Sequence, residues 1–129
     1  MKKEYIFIFL GFFLFALAAM TLRPVTVPKD AKDCLVAKGK VIRVYEGGVK
    51  DVVFKLEGDK TTYYINRGLE QGLDLEELQQ ELVGNIVTIR YPIHWTILNP
   101  NNTSKHLSVL EYKGKEIFNE IDIVYPKNG

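Results

Sequence analysis

Apolar positions along this chain form one long uninterrupted run, followed by several short alternating segments. The run extends from Tyr5 to Leu22, carries no charge and is rich in aromatic residues. At 1.5 Å per residue, its roughly 18 residues would make about 27 Å of helix, just short of a ~30 Å hydrocarbon core. The pattern therefore predicts an N-terminal apolar helix of a length between that of a cleaved leader and that of a membrane anchor.

Two features of this run favour different fates for it. Lys2 and Lys3 precede it, and the small residues at 16–19 supply cleavage positions, as in secretory signal peptides. The apolar run continues through Met20 and Leu22, however, which favours retention as an anchor. We interpret residues 1–23 as a signal anchor or a signal peptide, with the rest of the chain beyond the membrane in both cases.

Residues 24–34 contain two prolines and alternating charges, which is typical of an extended linker. From residue 35 the pattern changes to the β-branched alternation of strands. Leu35–Tyr45, Asp51–Leu56 and Thr61–Asn66 predict three meandering strands, and Gly39 predicts a bulge or a sharp bend in the first of them.

A short helix is predicted after the third strand. Asp74 and Glu77 form a capping-box pattern, and Gly84 with Asn85 gives a typical C-terminal stop. Between them, leucines recur at helical spacing, at positions 75, 78 and 82. A helix this short is unstable alone, so its leucine stripe should dock on the sheet.

Further strands are predicted at Ile86–Tyr91 and Leu107–Tyr112, and Glu116–Tyr125 is interpreted as a last strand or strand pair. A long loop at residues 92–104 separates the first two. We predict a mainly β fold in which residues 35–129 form a small OB-fold-like barrel of five to six strands, with one short helix between strands three and four. The alternative is a β-sandwich or an SH3-like barrel with a helical insertion.

Three stretches resemble a group of small, uncharacterised bacterial proteins that have an N-terminal membrane segment and an OB-fold-like domain. They are EGGVKDVVFKL at residues 46–56, YYINRGLEQGLDLEEL at residues 63–78 and YPIHWTILNP at residues 91–100. The resemblance covers most of the part expected outside the cytoplasm. It implies no activity, and it implies a location in the bacterial envelope.

Charge beyond the leader is nearly balanced. The chain has 17 Lys and Arg and 16 Asp and Glu, and the leader holds Lys2, Lys3, Arg23 and Glu4. The rest therefore carries 14 basic and 15 acidic residues, whereas nucleic-acid-binding domains usually show a clear basic excess. Nucleic acid is not an expected partner. The expected partners are the membrane, through residues 5–22, and an envelope protein or a small polar ligand.

No set of residues with the pattern of a catalytic or metal site is found. Cys34 is the single cysteine and the histidines are only two, so neither a zinc site nor a cofactor is expected. Ser104 and Ser108 lie near both histidines in sequence, but proximity in sequence does not establish a catalytic triad. The acid and the arginines of a secreted OB-fold nuclease have counterparts by residue type, at Asp51, Arg43, Arg67 and Arg90, without that family's spacing.

A binding surface is predicted instead, from strand-face aromatics and the long loop. Aromatic rings with Arg and Asn can stack on and hydrogen-bond a sugar, a base or a peptide. The alternative is that the rings close the core and the arginines are solvated. The candidate ligand-binding residues are Tyr64, Asn66, Arg67, Arg90, Tyr91, His94 and Trp95.

The sequence thus favours a non-enzymatic binding module of the bacterial envelope, tethered to the membrane or released outside the cytoplasm after cleavage. The second hypothesis is a structural or accessory subunit of a membrane protein complex. A hydrolase or nuclease is the remote third.

Overall fold

The computed structural model describes residues 3–21, 25–94 and 99–126. These fall into two compact units, one with residues 3–21 and 99–102 and the other with residues 25–94 and 103–126. The second unit carries all the strands. The helices are α1 (Lys3–Thr21), α2 (Leu75–Leu82) and α3 (Glu120–Val124), and the strands are β1 (Leu35–Gly47), β2 (Asp51–Leu56), β3 (Thr62–Ile65), β4 (Ile86–Tyr91), β5 (Ser104–His106), β6 (Val109–Tyr112) and β7 (Lys115–Asn119).

Helix α1 forms where a helix was predicted at the N-terminus. Across residues 3–21, 25–94 and 99–126, no helix combines the length and the apolar character that crossing a bilayer requires. The prediction of an apolar membrane helix at the N-terminus is therefore contradicted.

The seven strands pair in the order β5-β3-β2-β1-β4-β6-β7. The mainly β prediction is confirmed, and α2 lies between β3 and β4 as predicted. The ladder ends at β5 on one side and at β7 on the other, so the sheet is open and the predicted OB-fold-like barrel of five to six strands is wrong.

The physical reason lies in residues 104–112, where two strands form: β5 precedes the predicted strand Leu107–Tyr112, and β6 is the second part of it. β5 pairs parallel to β3, whereas β6 pairs antiparallel to β4. Between them, Leu107 N donates to Tyr64 O and Ser108 N donates to Arg90 O, each at 2.8 Å. The chain thus passes from one half of the sheet to the other within two residues, and β7 then extends the sheet beyond β6.

Strand β1 is shared between the two halves of the sheet. Its first part, Leu35 to Lys40, pairs with β4, and its second part, Val41 to Gly47, pairs with β2. The register shifts between Val41 and Arg43, so Ile42 is the extra residue of a β-bulge. The bulge is present in β1 as predicted, but at Ile42 rather than at Gly39. It turns Ile42 and Arg43 outward while Val41 and Val44 both stay buried.

Helix α2 begins and docks as its sequence predicts. The Asp74 carboxylate accepts a hydrogen bond from Glu77 N at 3.0 Å. Leu78 and Leu82 are buried in the core. The helix is tied to β1 by Gln79 Nε2, which donates to Val44 O at 2.9 Å.

The last predicted strand is only half correct. Lys113 and Gly114 both have positive φ, as the two-residue turn of a hairpin requires, and β7 follows them. From residue 120 the chain turns into α3 instead of continuing as a strand. Asn119 starts this helix, because its Oδ1 accepts from Ile121 N at 3.0 Å and from Asp122 N at 3.2 Å.

The core lies on the inward face of the sheet, under α2. Phe54 is fully buried, and the members are aliphatic and aromatic side chains, with the Tyr63 hydroxyl donating to Asp59. Alternation along β2 and β3 places neighbours such as Val53 and Tyr64 on the opposite face. The core consists of Val41, Val44, Val52, Phe54, Leu56, Tyr63, Ile65, Leu78, Leu82, Val87, Ile89, Leu107, Leu110 and Phe118.

Candidate functional site

The outward face of β1, β2, β3 and β5 carries an ordered set of side chains, and we call it the binding face. Strand register aligns these side chains in rows across the strands. A central row consists of Tyr45, Val53, Tyr64 and His106, and a second row consists of Arg43, Lys55, Thr62 and Ser104. Gly47 and Asp51 are paired at the other end, where Asn66 directly follows β3.

A cavity of about 530 Å³ lies over this face. Its volume is within the ~300–1,000 Å³ that small-molecule sites usually have. Two tyrosine rings and Val53 supply its apolar surface, and the remaining side chains are hydroxyls, an amide and a carboxylate. The lining residues are Tyr45, Gly47, Gly48, Asp51, Val53, Thr62, Tyr64, Asn66 and Ser104.

Gly47 and Gly48 let the β1–β2 turn approach one end of the cavity closely. A Cβ on Gly47 would come within 2.8 Å of Val53 Cγ2, and a Cβ on Gly48 within 2.8 Å of Asp51 Oδ2. Gly48 also has φ +49°, a conformation that side chains rarely adopt. The β1–β2 turn therefore lies close to the floor of the cavity because these two residues have no side chain.

Asp51 links the cavity to the segment after β3. Its Oδ1 accepts a hydrogen bond from Arg67 N at 2.8 Å, and Arg67 has φ +51°. The Arg67 guanidinium forms an exposed ion pair with Glu70 at 3.3 Å. Arg67 thus contributes its backbone to the geometry of the site, while its side chain pairs with its own segment.

Tyr64 lies half-buried between the cavity and a group of buried polar side chains. Its ring meets that of His106 edge to face, with centroids 5.6 Å apart. Burial, and then the negative charges of Asp51 and Glu120, raise the pKa of the Tyr64 phenol. The ring is therefore neutral at ordinary pH and able to stack on or hydrogen-bond a ligand.

The buried polar side chains beside Tyr64 converge on Glu120. His106 Nε2 lies 2.7 Å and 2.8 Å from the two oxygens of the Glu120 carboxylate, and Ser108 Oγ donates to Oε2 at 2.9 Å. Ser108 is fully buried. We call this group, Ser108, His106 and Glu120, the latch, because it fastens the start of α3 to the β5–β6 segment.

The latch does not have the arrangement of a hydrolytic triad. In a triad the histidine lies between the serine and the acid, so that it can take the serine proton. Here Ser108 and His106 both bind the same carboxylate, and Ser108 is out of reach of solvent. Among the described residues there is also no group of three or more His, Cys, Asp or Glu side chains that could hold a metal ion.

The predicted site residues do not all come together. Tyr64 and Asn66 line the cavity, and Arg67 adjoins it. Arg90, on β4, donates from Nε to Glu111 Oε1 at 3.2 Å. Tyr91, at the end of β4, packs against the Tyr63 ring at 5.6 Å and lies under Lys105 Nζ at 5.0 Å.

The two loop residues of the prediction have different outcomes. His94 is half-buried beyond the end of β4 and does not line the cavity. Trp95 lies outside the described residues.

The sequence pattern did not identify several residues of the binding face as part of a site. Tyr45 and Val53 were assigned to strands but not to the site, and Asp51 was considered only for a nuclease. The sequence contains part of the information needed to find them, because a tight β1–β2 turn fixes which residues of the two strands lie opposite one another. The His106–Glu120 contact joins elements that no sequence pattern relates.

Comparison with known proteins adds no relative: no protein-family model matches the chain, and no curated protein sequence matches it.

Proposed function

We propose that this chain is a non-enzymatic binding module of the bacterial envelope, and that it holds a small polar ligand on the binding face. The observation that carries the proposal is the central row. Tyr45 and Tyr64 flank Val53 beneath a cavity of about 530 Å³. An apolar floor with a polar surround is the usual composition of a ligand site.

The side chains around the floor indicate the chemistry of the ligand. Tyrosine rings pack on flat apolar surfaces while their hydroxyls stay available for hydrogen bonds. Thr62, Asp51 and Asn66 add hydroxyl, carboxylate and amide groups at the edges of the cavity. A ligand with one flat apolar face and several hydroxyl or amide groups, such as a sugar, a nucleoside or a short polar peptide, satisfies this set.

Arg43 extends the site on one side. Its guanidinium lies 4.1 Å from the centre of the Tyr45 ring, in a cation–π contact. Arg43 thus occupies one face of the Tyr45 ring, whereas the Tyr64 ring meets His106 edge to face. Tyr64 is therefore the residue on which the proposal is tested.

The experiment compares Tyr64→Ala with Tyr112→Ala, a half-buried tyrosine on β6 outside the binding face. Both purified variants are titrated calorimetrically against oligosaccharides, nucleosides and short peptides up to about 1 mM. Tyr64→Ala should weaken the binding of any captured compound by about tenfold or more, whereas Tyr112→Ala should not. The proposal fails if no compound binds the parent protein, or if Tyr64→Ala binds as the parent does.

The location outside the cytoplasm is also a proposal, supported by the basic start at Lys2 and Lys3 and the apolar run that follows. N-terminal sequencing of the protein recovered from fractionated cells tests it. A new N-terminus close to residue 20 in the extracytoplasmic fraction is the expected result. Recovery of the intact chain in the cytoplasmic fraction would contradict the proposal.

A role as an accessory subunit is the second candidate, and one observation favours it. Phe7, Phe9 and Phe15 of α1 are each about three-quarters exposed. Apolar side chains left in contact with solvent commonly mark a surface that packs against another protein. Replacing residues 3–21 by an unrelated leader should then abolish co-purification with a partner, and unchanged co-purification would remove this candidate.

A further inference from the structure

A second groove lies between α2 and the last strand of the sheet. β7 pairs with β6 on one side, and within the described part of the chain no strand pairs with its other edge. The groove beside that edge has a volume of about 210 Å³. We call it the edge groove.

Its size indicates the kind of occupant. Small-molecule pockets usually measure ~300–1,000 Å³, so the edge groove is smaller than the range for a whole ligand. Its floor is apolar and consists of Leu73, Leu78 and Ile117. The space and its lining suit a single apolar side chain, as in the anchor of a bound peptide.

The rim of the edge groove is acidic. Asp74, Glu77, Glu81 and Glu116 surround it, and Lys115 is the one basic side chain among its described lining residues. Asp74 and Glu116 accept hydrogen bonds from within their own segments. Glu77 and Glu81 are exposed, and no cation of the described residues forms an ion pair with either. A partner of positive charge is therefore complementary to this rim.

The open edge of β7 supplies the remaining attraction. The outer edge of a terminal strand presents N–H and C=O groups that another extended chain can pair with. Recognition by strand addition uses this backbone pairing for affinity and the adjacent pockets for specificity. A second copy of this chain would bring the same carboxylates to the groove, so charge disfavours self-pairing there.

We propose that the edge groove binds an extended, basic segment of another protein. The segment adds to β7 as a further strand and places one apolar side chain on Leu73 and Ile117. Its flanking Lys or Arg side chains lie against Glu77 and Glu81. This interaction is independent of the binding face, because the two surfaces share no residue.

The test uses the full-length protein and two fluorescein-labelled peptides of about seven residues, the length of an ordinary strand. One alternates lysine with leucine and the other alternates glutamate with leucine. Fluorescence anisotropy should show saturable binding of the first alone, at concentrations up to about 1 mM. Absence of binding, or equal binding of both peptides, overturns the proposal.

Matched charge reversals locate the interaction. E81K should weaken binding of the lysine peptide by about tenfold, and the E77K/E81K pair should weaken it further. E76K makes the same change on the same helix outside the groove, and it should leave the affinity unchanged. If E76K and E81K lower the affinity for the lysine peptide equally, the effect comes from net charge alone, and the proposal is overturned.

Amide hydrogen exchange then distinguishes strand addition from loose attraction. Bound peptide should slow exchange within Lys115–Asn119, and it should do so equally in the Tyr64→Ala variant, whatever the outcome for the binding face. Saturable binding without slower exchange in β7 would overturn the proposed mode.

Discussion

Replacing Glu120 with alanine should destabilise the protein strongly, although the residue lies near the end of the chain. The Glu120 carboxylate accepts three contacts from the latch, at 2.7, 2.8 and 2.9 Å. The side chains of His106 and Glu120 are only 9% and 16% exposed, and Ser108 is 0% exposed. Ser108 has no exposed surface in the folded protein, so its hydroxyl depends on the Glu120 acceptor.

The magnitude follows from the two donors left without a partner. A buried donor that loses its acceptor costs about 1–3 kcal/mol. Ser108 should incur most of that cost, and His106, which retains some access to solvent, should add about 1 kcal/mol. We expect Glu120→Ala to lower the free energy of unfolding by about 2–4 kcal/mol, and Tm by about 4–8 °C for each kcal/mol.

Urea-induced unfolding followed by circular dichroism measures this change. Glu116→Ala is the matched control, because Glu116 lies on β7, four residues before Glu120, and its hydrogen bond with Asn119 at 3.1 Å is exposed. It should cost less than about 0.5 kcal/mol.

A double-mutant cycle tests the assignment to Ser108 directly. Ser108→Ala removes the donor that Glu120→Ala would leave unsatisfied. The loss of unfolding free energy in the double variant should therefore be smaller than the sum of the two single losses by about 1 kcal/mol. Additive losses, or a single Glu120→Ala loss below about 0.5 kcal/mol, would refute the energetic role of the latch.

Three further predictions concern the fold and the binding face. Burial raises the pKa of Asp59, but hydrogen bonds from Tyr63 Oη at 2.7 Å and Thr61 N at 2.9 Å outweigh it and lower the pKa below its ordinary value. A lowered pKa stabilises the folded state at pH values above the ordinary pKa, and this contribution is lost as the pH falls through the folded-state pKa. The free energy of unfolding, measured in urea, should therefore fall less steeply between about pH 5 and pH 2 in Asp59→Asn than in the parent protein. Asp74→Ala removes the cap of α2 and should cost about 1 kcal/mol in the same assay, and no loss would contradict the cap geometry. Gly47→Ala should cost about 1–3 kcal/mol because the new Cβ meets Val53 at 2.8 Å, and its calorimetric titration should show weakened binding on the binding face.

Local structure in this chain could be predicted where neighbouring residues decide it. The bounds of β2 and β4, the cap at Asp74 and the turn at Lys113–Gly114 all follow from alternation, side-chain capping or positive φ. Each of these depends on contacts within a few positions of the chain.

The failures depend on distant contacts. The bulge at Ile42 marks where β1 changes partners from β4 to β2, and Gly39 alone does not reveal that place. The sequence predicts a single strand at Leu107–Tyr112, but residues 104–106 and 109–112 form two strands that pair with different partners. Residues 120–124 are rich in β-branched side chains, which favour strands, yet the Asn119 cap and the Glu120 contacts hold them as a helix.

The candidate site shows the same division. Tyr64 and Asn66 could be predicted because they share one face of a single strand. Their neighbours on the binding face come from three other strands, and only the register between those strands assembles the cavity.

The shared strand β1 also bears on the order in which the polypeptide acquires its shape. Its hairpin with β2 closes a loop of three residues, whereas its ladder with β4 cannot begin until Ile86 returns to Lys40. Closing a long loop costs more entropy than closing a short one, so local pairing comes first. During synthesis, the hairpin of β1 with β2 can therefore assemble before the ribosome has delivered β4, and the backbone edge of residues 35–40 stays unpaired until that strand arrives.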